Sequence, residues 1–335
     1  MKKRLFGYFL SGLLLMAMGA VVGTAWMWAH WPMQLADNTV EFVVATGSSP
    51  RGVVRTINAA GVPVWAPGFV WMARLTGRDK LIKAGGYQAF NGDTPWLLLE
   101  RMVRGDTVER PITLLEGWTF RQIRQALRES PDIKQTLDEM SDAEIMAKLG
   151  SSVAQPEGLF FPDTYLFTPG TTDFELLRRA YQQGQRVLND MWAKRQPNLP
   201  ILSPYEALIL ASIIEKETGH GPDRARISGV LVNRLRLGMP LQSDPTVIYG
   251  MGEAYSGRLR KRDLQTDTSW NTYTRPGLPP TPIAAAGYAA LLAAVQPEQH
   301  NYLFFVSRGN GTSEFSASLV DHNRNVARYI LGREP

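Results

Sequence analysis

Residues 5–29 run for 25 positions without one charged side chain, and no other feature limits the fold of this chain so strictly. As a helix that run measures about 37 Å, enough to cross a hydrocarbon core of roughly 30 Å. Its flanks orient it. Lys2, Lys3 and Arg4 precede it, and Trp26, Trp28 and Trp31 stand at its far end. The positive-inside rule then puts residues 1–4 in the cytoplasm as a short tail and residues 5–29 in the membrane, with everything after residue 31 outside the cytoplasm. The alternative is a cleaved signal peptide, for which Gly23-Thr24-Ala25 has the small-x-small form. The run is longer than an ordinary signal core and ends in bulky tryptophans, which favours the anchor.

The remaining chain is globular in composition. Of 335 residues, 44% are hydrophobic and 20% charged, enough apolar material for two or three cores. The formal charge of +5 suggests nucleic acid only until the three charges before the anchor are set aside. That leaves 33 basic against 31 acidic side chains, too even a balance for a surface that tracks phosphates. There is no cysteine, hence neither a lipid-bearing thiol nor a disulfide framework.

After the anchor, residues 40–46 (VEFVVAT) read as a strand, 50–60 as a short helix ending at Gly61, 66–75 as a second helix and 85–90 as another strand. This β-α-α-β order has an echo at 112–117, a strand followed by a helix with Phe120, Ile123 and Leu127 on one face. Two small α+β units over residues 38–150 are therefore expected. A larger mixed α+β part follows over residues 156–333, with helices at 173–194, 204–218, 223–237, 284–295 and 319–331. Strands at 302–306 and 313–317 flank Gly309-Asn310-Gly311, a hairpin turn. The run RPGLPPTP at 275–282 must be a rigid loop.

One helix carries an anomaly. Ser203-Pro204-Tyr205-Glu206 is a strong start, with Ser203 as N-cap, Pro204 in the first turn and Glu206 placed to complete a capping box. Positions 207–214 are then apolar nearly all round, as in a helix buried on every side. Glu217 lies three, four and seven residues beyond Ile214, Ile213 and Leu210, so it continues an aliphatic stripe. Glu215 and Lys216 project to other faces. Gly219 and Gly221 are placed to close the helix, leaving Glu217 in the last turn, where the helix dipole and apolar neighbours both disfavour an anion. A carboxyl kept protonated at neutral pH is what a general acid requires. The plain alternative is a solvated acidic helix end.

Other polar clusters surround this helix in the sequence. Asn233, Gln242, Ser243, Asp244 and Tyr249 gather in NRLRLGMPLQSDPTVIY; Asn271 and Tyr273 stand in WNTY; and Glu157 and Asp163 in EGLFFPDTY. Amides, hydroxyls and carboxylates among aromatics suit sugar recognition, whereas Ser243, Asp244 and Asp163 also read as turn or cap residues. The four histidines are scattered, and Glu217-x-x-His220 lacks the second helical histidine of a zincin, so no metal site is expected. Serine-nucleophile elbows and phosphate-binding glycine loops are absent, and no cofactor is expected.

The ordered motifs EGLFFPDTY, ASIIEKET, NRLRLGMPLQSDPTVIYG, NTYTRPGLPP and the closing DHN, with Asn323, strongly resemble the membrane-bound endolytic murein transglycosylases, the YceG-like family. The resemblance runs from about Glu157 to the carboxy terminus, and residues 31–110 match in outline. It implies a LysM-like region ahead of the catalytic domain, and it puts the family's catalytic glutamate on Glu217. Two departures are Thr281, where a glycine is common, and Glu314, where a histidine often precedes Phe315.

The implied reaction cuts the bond from N-acetylmuramic acid to N-acetylglucosamine without water, leaving a 1,6-anhydro ring. That would explain a solitary acid, because most glycosidases need a second carboxylate. Glu157, Asp163, Asn233, Gln242, Ser243, Asp244, Tyr249, Asn271, Tyr273 and Asn323 are the expected substrate-binding groups. Nascent peptidoglycan strands at the outer face of the inner membrane are the expected substrate, with penicillin-binding synthases as partners by resemblance and no nucleic acid. A glycan-binding scaffold without catalysis and a hydrolytic muramidase are the rival readings.

Overall fold

The computed structural model describes residues 2–332, with side chains from residue 8 onward. Met1 and residues 333–335, and with them the outer limits of the expected tail and carboxy-terminal domain, lie outside the described residues, as do the side chains of Lys2, Lys3 and Arg4. The chain is mixed α and β and divides into two compact units. One comprises residues 1–111 with 132–134 and 166–171; the other comprises 112–131, 135–165 and everything from 172 onward.

In the first unit, α1 (Lys2–Ala29) is a single apolar helix long enough to cross a membrane. Its side chains lie open, with Leu14, Met16 and Val21 all more than half exposed. Beyond it, β1 (Thr39–Val44) pairs antiparallel with β2 (Gly85–Phe90), Thr39 opposite Phe90. Helices α2 (Pro50–Ala59) and α3 (Ala66–Leu75) connect them, which is the expected β-α-α-β order. Val53, Val54 and Ile57 of α2 meet Phe69 of α3, Phe42 and Tyr87 of the strands, and Leu98 and Met102 of α4 (Pro95–Arg104) in one core. Helix α4 was not anticipated from the pattern, although its marks are local: a Thr94 hydroxyl cap, Pro95 in the first turn and left-handed Gly105 at the end.

The strand expected at 112–117 is instead β3 (Arg110–Thr113), paired with β4 (Thr164–Phe167). Leu114 still donates its N–H to the Asp163 carbonyl beside β4, and the chain then leaves the ladder and turns at Gly117, with φ of 76°.

The second unit is built round α8 (Pro204–Glu217), in which every residue from Ala207 to Ile214 is buried, as the apolar run requires. Helices α7 (Asp173–Ala193), α9 (Gly221–Arg236), α10 (Asp244–Met251) and α12 (Tyr288–Val295) pack on it or on one another. Helices α5 (Phe120–Glu129) and α6 (Asp142–Lys148), both opened by capping boxes, lie ahead of α7, and α11 (Lys261–Gln265) follows α10. The hairpin β5 (Phe304–Ser307) and β6 (Ser313–Ser316) is antiparallel, with Phe304 opposite Ser316, and α13 (Leu319–Tyr329) packs on it.

Both ends of α8 differ from expectation, and the helix expected at 284–295 begins only at Tyr288. Ser203 caps the Glu206 N–H at 3.2 Å, but the Glu206 carboxylate accepts from Leu202 at 2.6 Å, so only half of the capping box forms. Helix α8 ends on extended Thr218 rather than on a left-handed glycine, and Gly221 opens α9.

Within α9, Gly229 lets the 298–300 segment cross directly against the helix backbone. A β-carbon there would run into the Glu298 carbonyl oxygen and the His300 ring. Gly229→Ala should therefore destabilise the protein by about 1–3 kcal/mol through overpacking, although alanine is favoured over glycine in a helix interior by about 1 kcal/mol. A chemical denaturation midpoint equal to or above that of the parent would show that the segment yields.

Candidate active site

Glu217 ends α8 at one wall of a cleft of about 400 Å³. The opposite wall is the β5–β6 hairpin, with Phe305, Ser307, Gly311 and Thr312. The stripe that carries Glu217 toward the core does so for the reason the spacing implies: Leu210, Ile213 and Ile214 beneath it are fully buried. Glu217 itself keeps part of its surface open, while the protein packed round its carboxyl removes most of the hydrating water. This desolvation pushes its pKa up to about 7, aided by the nearby charge of Asp244 and opposed by a hydrogen bond from Ser243 and the charge of Arg234.

The neighbours on α8 point elsewhere. Glu215 accepts from the Gly287 N–H at 3.0 Å, at the start of α12, and Lys216 donates to the Gly117 carbonyl at 3.2 Å. Lys216 therefore does not neutralise the acid.

Ser243 is the most direct partner: its hydroxyl donates to Glu217 Oε1 at 2.5 Å. Burial and a small hydrogen-bond network hold this serine. Its N–H donates to Thr272 Oγ1 at 3.0 Å, its carbonyl accepts from Thr246 Oγ1 at 2.7 Å, and the two threonine hydroxyls meet at 2.9 Å. Asp244, exposed and next in the chain, accepts from the Tyr273 hydroxyl at 2.6 Å. Gln242 precedes Ser243 with φ of 53°, a left-handed backbone costly for a residue other than glycine.

What holds Gln242 there is Arg234. Only 7% exposed, it donates Nη1 to the carbonyls of Pro240 and Leu241 and to Gln242 Oε1, and Nε to the Leu303 carbonyl at 2.7 Å. Arg234 was not singled out from sequence, yet it continues the buried face of Ile227, Val230 and Leu231, the same periodic anomaly that marks Glu217. The hairpin is marked in the sequence by its turn, but its place as a wall of the cleft is not, because its contact with α8 joins segments about ninety residues apart.

Other expected site residues serve different ends. Asn233 gives its amide to the carbonyls of His300 and Tyr302, and fully buried Asn271 gives its own to Leu264 and Thr266 while accepting from the Tyr273 N–H. Both amides pin loops. Asp163 accepts the N–H of the next residue, Thr164, at 2.7 Å, and Asn323 lies exposed on α13. The departures from the family pattern also have local partners. Thr281 accepts from Trp270 Nε1 at 2.9 Å, and Glu314 pairs with Arg308 at 2.5 Å across the hairpin.

Glu157 and Tyr249 form a second polar pair. The Tyr249 hydroxyl donates to Glu157 Oε2 at 3.1 Å, and Oε1 accepts the Phe120 N–H at 2.9 Å, at the first turn of α5. Burial pushes the Glu157 carboxyl up to about 7, against the pull of those hydrogen bonds. A carboxyl whose folded pKa is raised stabilises the protein fully below its unfolded value near 4.5, and that contribution is lost as pH rises through about 7. Glu157→Gln, neutral at every pH, should flatten the decline in unfolding free energy between pH 5 and 8. An unchanged pH slope in urea titrations would show that Glu157 does not titrate there.

A model of the YceG-like family matches residues 42–328. The chain belongs to the YceG-like family. The match begins well ahead of Glu157, so the resemblance covers more of the chain than the motifs alone carry. A relative from Bacillus subtilis, named endolytic murein transglycosylase, is 28% identical over 316 residues, covering 89% of this chain and 87% of that protein. One from Streptococcus pneumoniae D39, of the same name, is 26% identical over 321 residues; the match covers 86% of this chain and 58% of that longer relative. Among solved structures, a yceG-like protein from Listeria monocytogenes superposes with a TM-score of 0.55 at 27% identity, over 85% of this chain and 98% of its own. The YceG-like match takes in Glu217, Arg234, Ser243 and the hairpin.

Proposed function

We propose that this chain is a lytic transglycosylase that cuts within the glycan strands of peptidoglycan, with Glu217 as its catalytic acid and base. The observation that carries the reading is one carboxyl at the edge of a cleft, its pKa pushed up to about 7 and one oxygen held by Ser243. Two relatives named endolytic murein transglycosylases support the substrate class.

Ser243 occupies Oε1 and leaves the other oxygen to carry the proton. Glu217 gives that proton to the glycosidic oxygen as the bond from C1 of N-acetylmuramic acid to that oxygen breaks. The C6 hydroxyl oxygen of the same sugar bonds to C1, closing a 1,6-anhydro ring, and its proton returns to Glu217. No water enters, and one carboxyl serves both steps. The Asp244–Tyr273 pair and Gln242 border the acid and are our candidates for steadying positive charge at C1. Glu157, Asp163, Asn233, Tyr249, Asn271 and Asn323 would act through the shape of the loops or at outer sugar sites.

Within the same proposal, residues 38–150 form a LysM-like region that contacts glycan and 156–333 form the catalytic domain. The amino terminus is cytoplasmic, α1 spans the inner membrane, and the catalytic part is periplasmic beside penicillin-binding synthases. The apolar length of α1 and the flanking charges support this placement.

The deciding experiment incubates the full chain in detergent with uncrosslinked glycan strands and identifies new ends by mass spectrometry. Anhydro ends, lighter than reducing ends by one water, are expected. Reducing ends would make the protein a hydrolytic muramidase, and intact strands that remain bound would make it a scaffold.

A further inference from the structure

In the first unit, α2 and α3 enclose a hollow of about 710 Å³ whose lining includes Arg51, Arg55, Trp71 and Arg74, with no acidic side chain. The three arginines are exposed, and among the described residues none of them forms an ion pair. Pro67, Trp71 and Leu75 follow one another at helical spacing along α3, and Trp71 and Leu75 are 61% and 79% exposed. A soluble surface seldom presents a large apolar stripe beside unpaired cations.

The position of this face gives it a partner. The exit from α1 is tied into the core of the unit: Trp28 packs against that core and its ring meets Trp65 edge-on at 5.5 Å, Ala29 is buried, and Met33, four residues past the helix end, lies in the core itself. Trp65 is the N-cap of α3. Helix α3 therefore starts at the point where α1 leaves the bilayer, and with ten residues it is only about 15 Å long. Tryptophan and arginine stems favour the layer between headgroups and acyl chains, and each cation near an anionic surface adds attraction.

We propose that the α2–α3 face is a second membrane contact. Arg51, Arg55 and Arg74 bind the phosphates of anionic phospholipids while Trp71 and Leu75 enter the interfacial layer. The inference rests on α1 being a membrane span. It gives the arginines a role separate from glycan cleavage: they hold the first unit flat against the leaflet in place of swinging freely on a single helix.

The chain has no cysteine, so a single Leu75→Cys carries an environment-sensitive fluorophore without interference, and Leu14→Cys in α1 serves as reference. Full-length protein is reconstituted into bilayers of phosphatidylcholine alone or mixed with phosphatidylglycerol. The Leu75 label is expected to shift to the blue and brighten several-fold only with phosphatidylglycerol, and to lose both changes in the Arg51→Glu, Arg55→Glu, Arg74→Glu variant. A water-like Leu75 label beside a lipid-buried Leu14 label overturns the second contact and leaves the span intact. A water-like Leu14 label overturns both. A blue shift indifferent to lipid charge or to the arginines, or one produced in detergent by added glycan strands, also overturns it.

Discussion

Glu217→Gln should abolish formation of 1,6-anhydro ends, with a rate loss of about a hundred- to ten-thousand-fold, the usual worth of a positioned general acid–base group. Glutamine matches the shape of glutamic acid and can still accept from Ser243, so the fold and the cleft should survive while the transferable proton is lost. Binding of glycan strands should change little. The same carboxyl sets the pH dependence. With its pKa near 7, the protonated fraction, and with it the rate, falls as pH rises through neutrality. Ser243→Ala removes a hydrogen bond that favours the ionised form, so the alkaline limb of the pH–rate profile should move upward. Undiminished cleavage by Glu217→Gln, measured as new ends on uncrosslinked strands, would remove this residue from the mechanism.

Arg234→Met should cost about 3 kcal/mol or more in unfolding free energy, and should also lower activity although Arg234 makes no hydrogen bond to Glu217. The guanidinium satisfies three backbone carbonyls and the Gln242 side chain. Methionine fills a similar volume but leaves those acceptors without donors, at about 1–3 kcal/mol for each that stays buried and unpaired. Gln242 would then have less to hold its left-handed backbone, and Ser243, one residue on, would drift from Glu217. Equilibrium denaturation and the end-group assay should therefore decline together. A variant with parental stability would mean that water replaces the guanidinium. A variant that is unstable yet fully active when folded would mean that the 238–242 loop does not position Ser243.

Local signals account for much of what the sequence disclosed. The helix at 66–75 and the strand at 85–90 fall where expected, because proline, glycine and apolar spacing act within a few residues. Helix α4 carried equally clear caps and was missed beside the stronger strand pattern. The strand expected at 112–117 overlaps β3 only at Ile112 and Thr113, because its extent is set by its partner β4, some fifty residues away.

The site divides along the same line. The apolar length of α1 is legible in the composition of residues 5–29, and the buried character of α8 and the placement of Glu217 on its aliphatic stripe follow from helical periodicity. Only in the folded chain does Ser243, 26 residues on, donate to Glu217, do Asn233 and Asn271 give their amides to loop carbonyls, and does the β5–β6 hairpin wall the cleft. Hydrogen bonds of side chains to distant backbone leave no period in the sequence. A polar residue that reads sugar and one that pins a loop have the same letter, and only the partner it meets in the folded chain separates them.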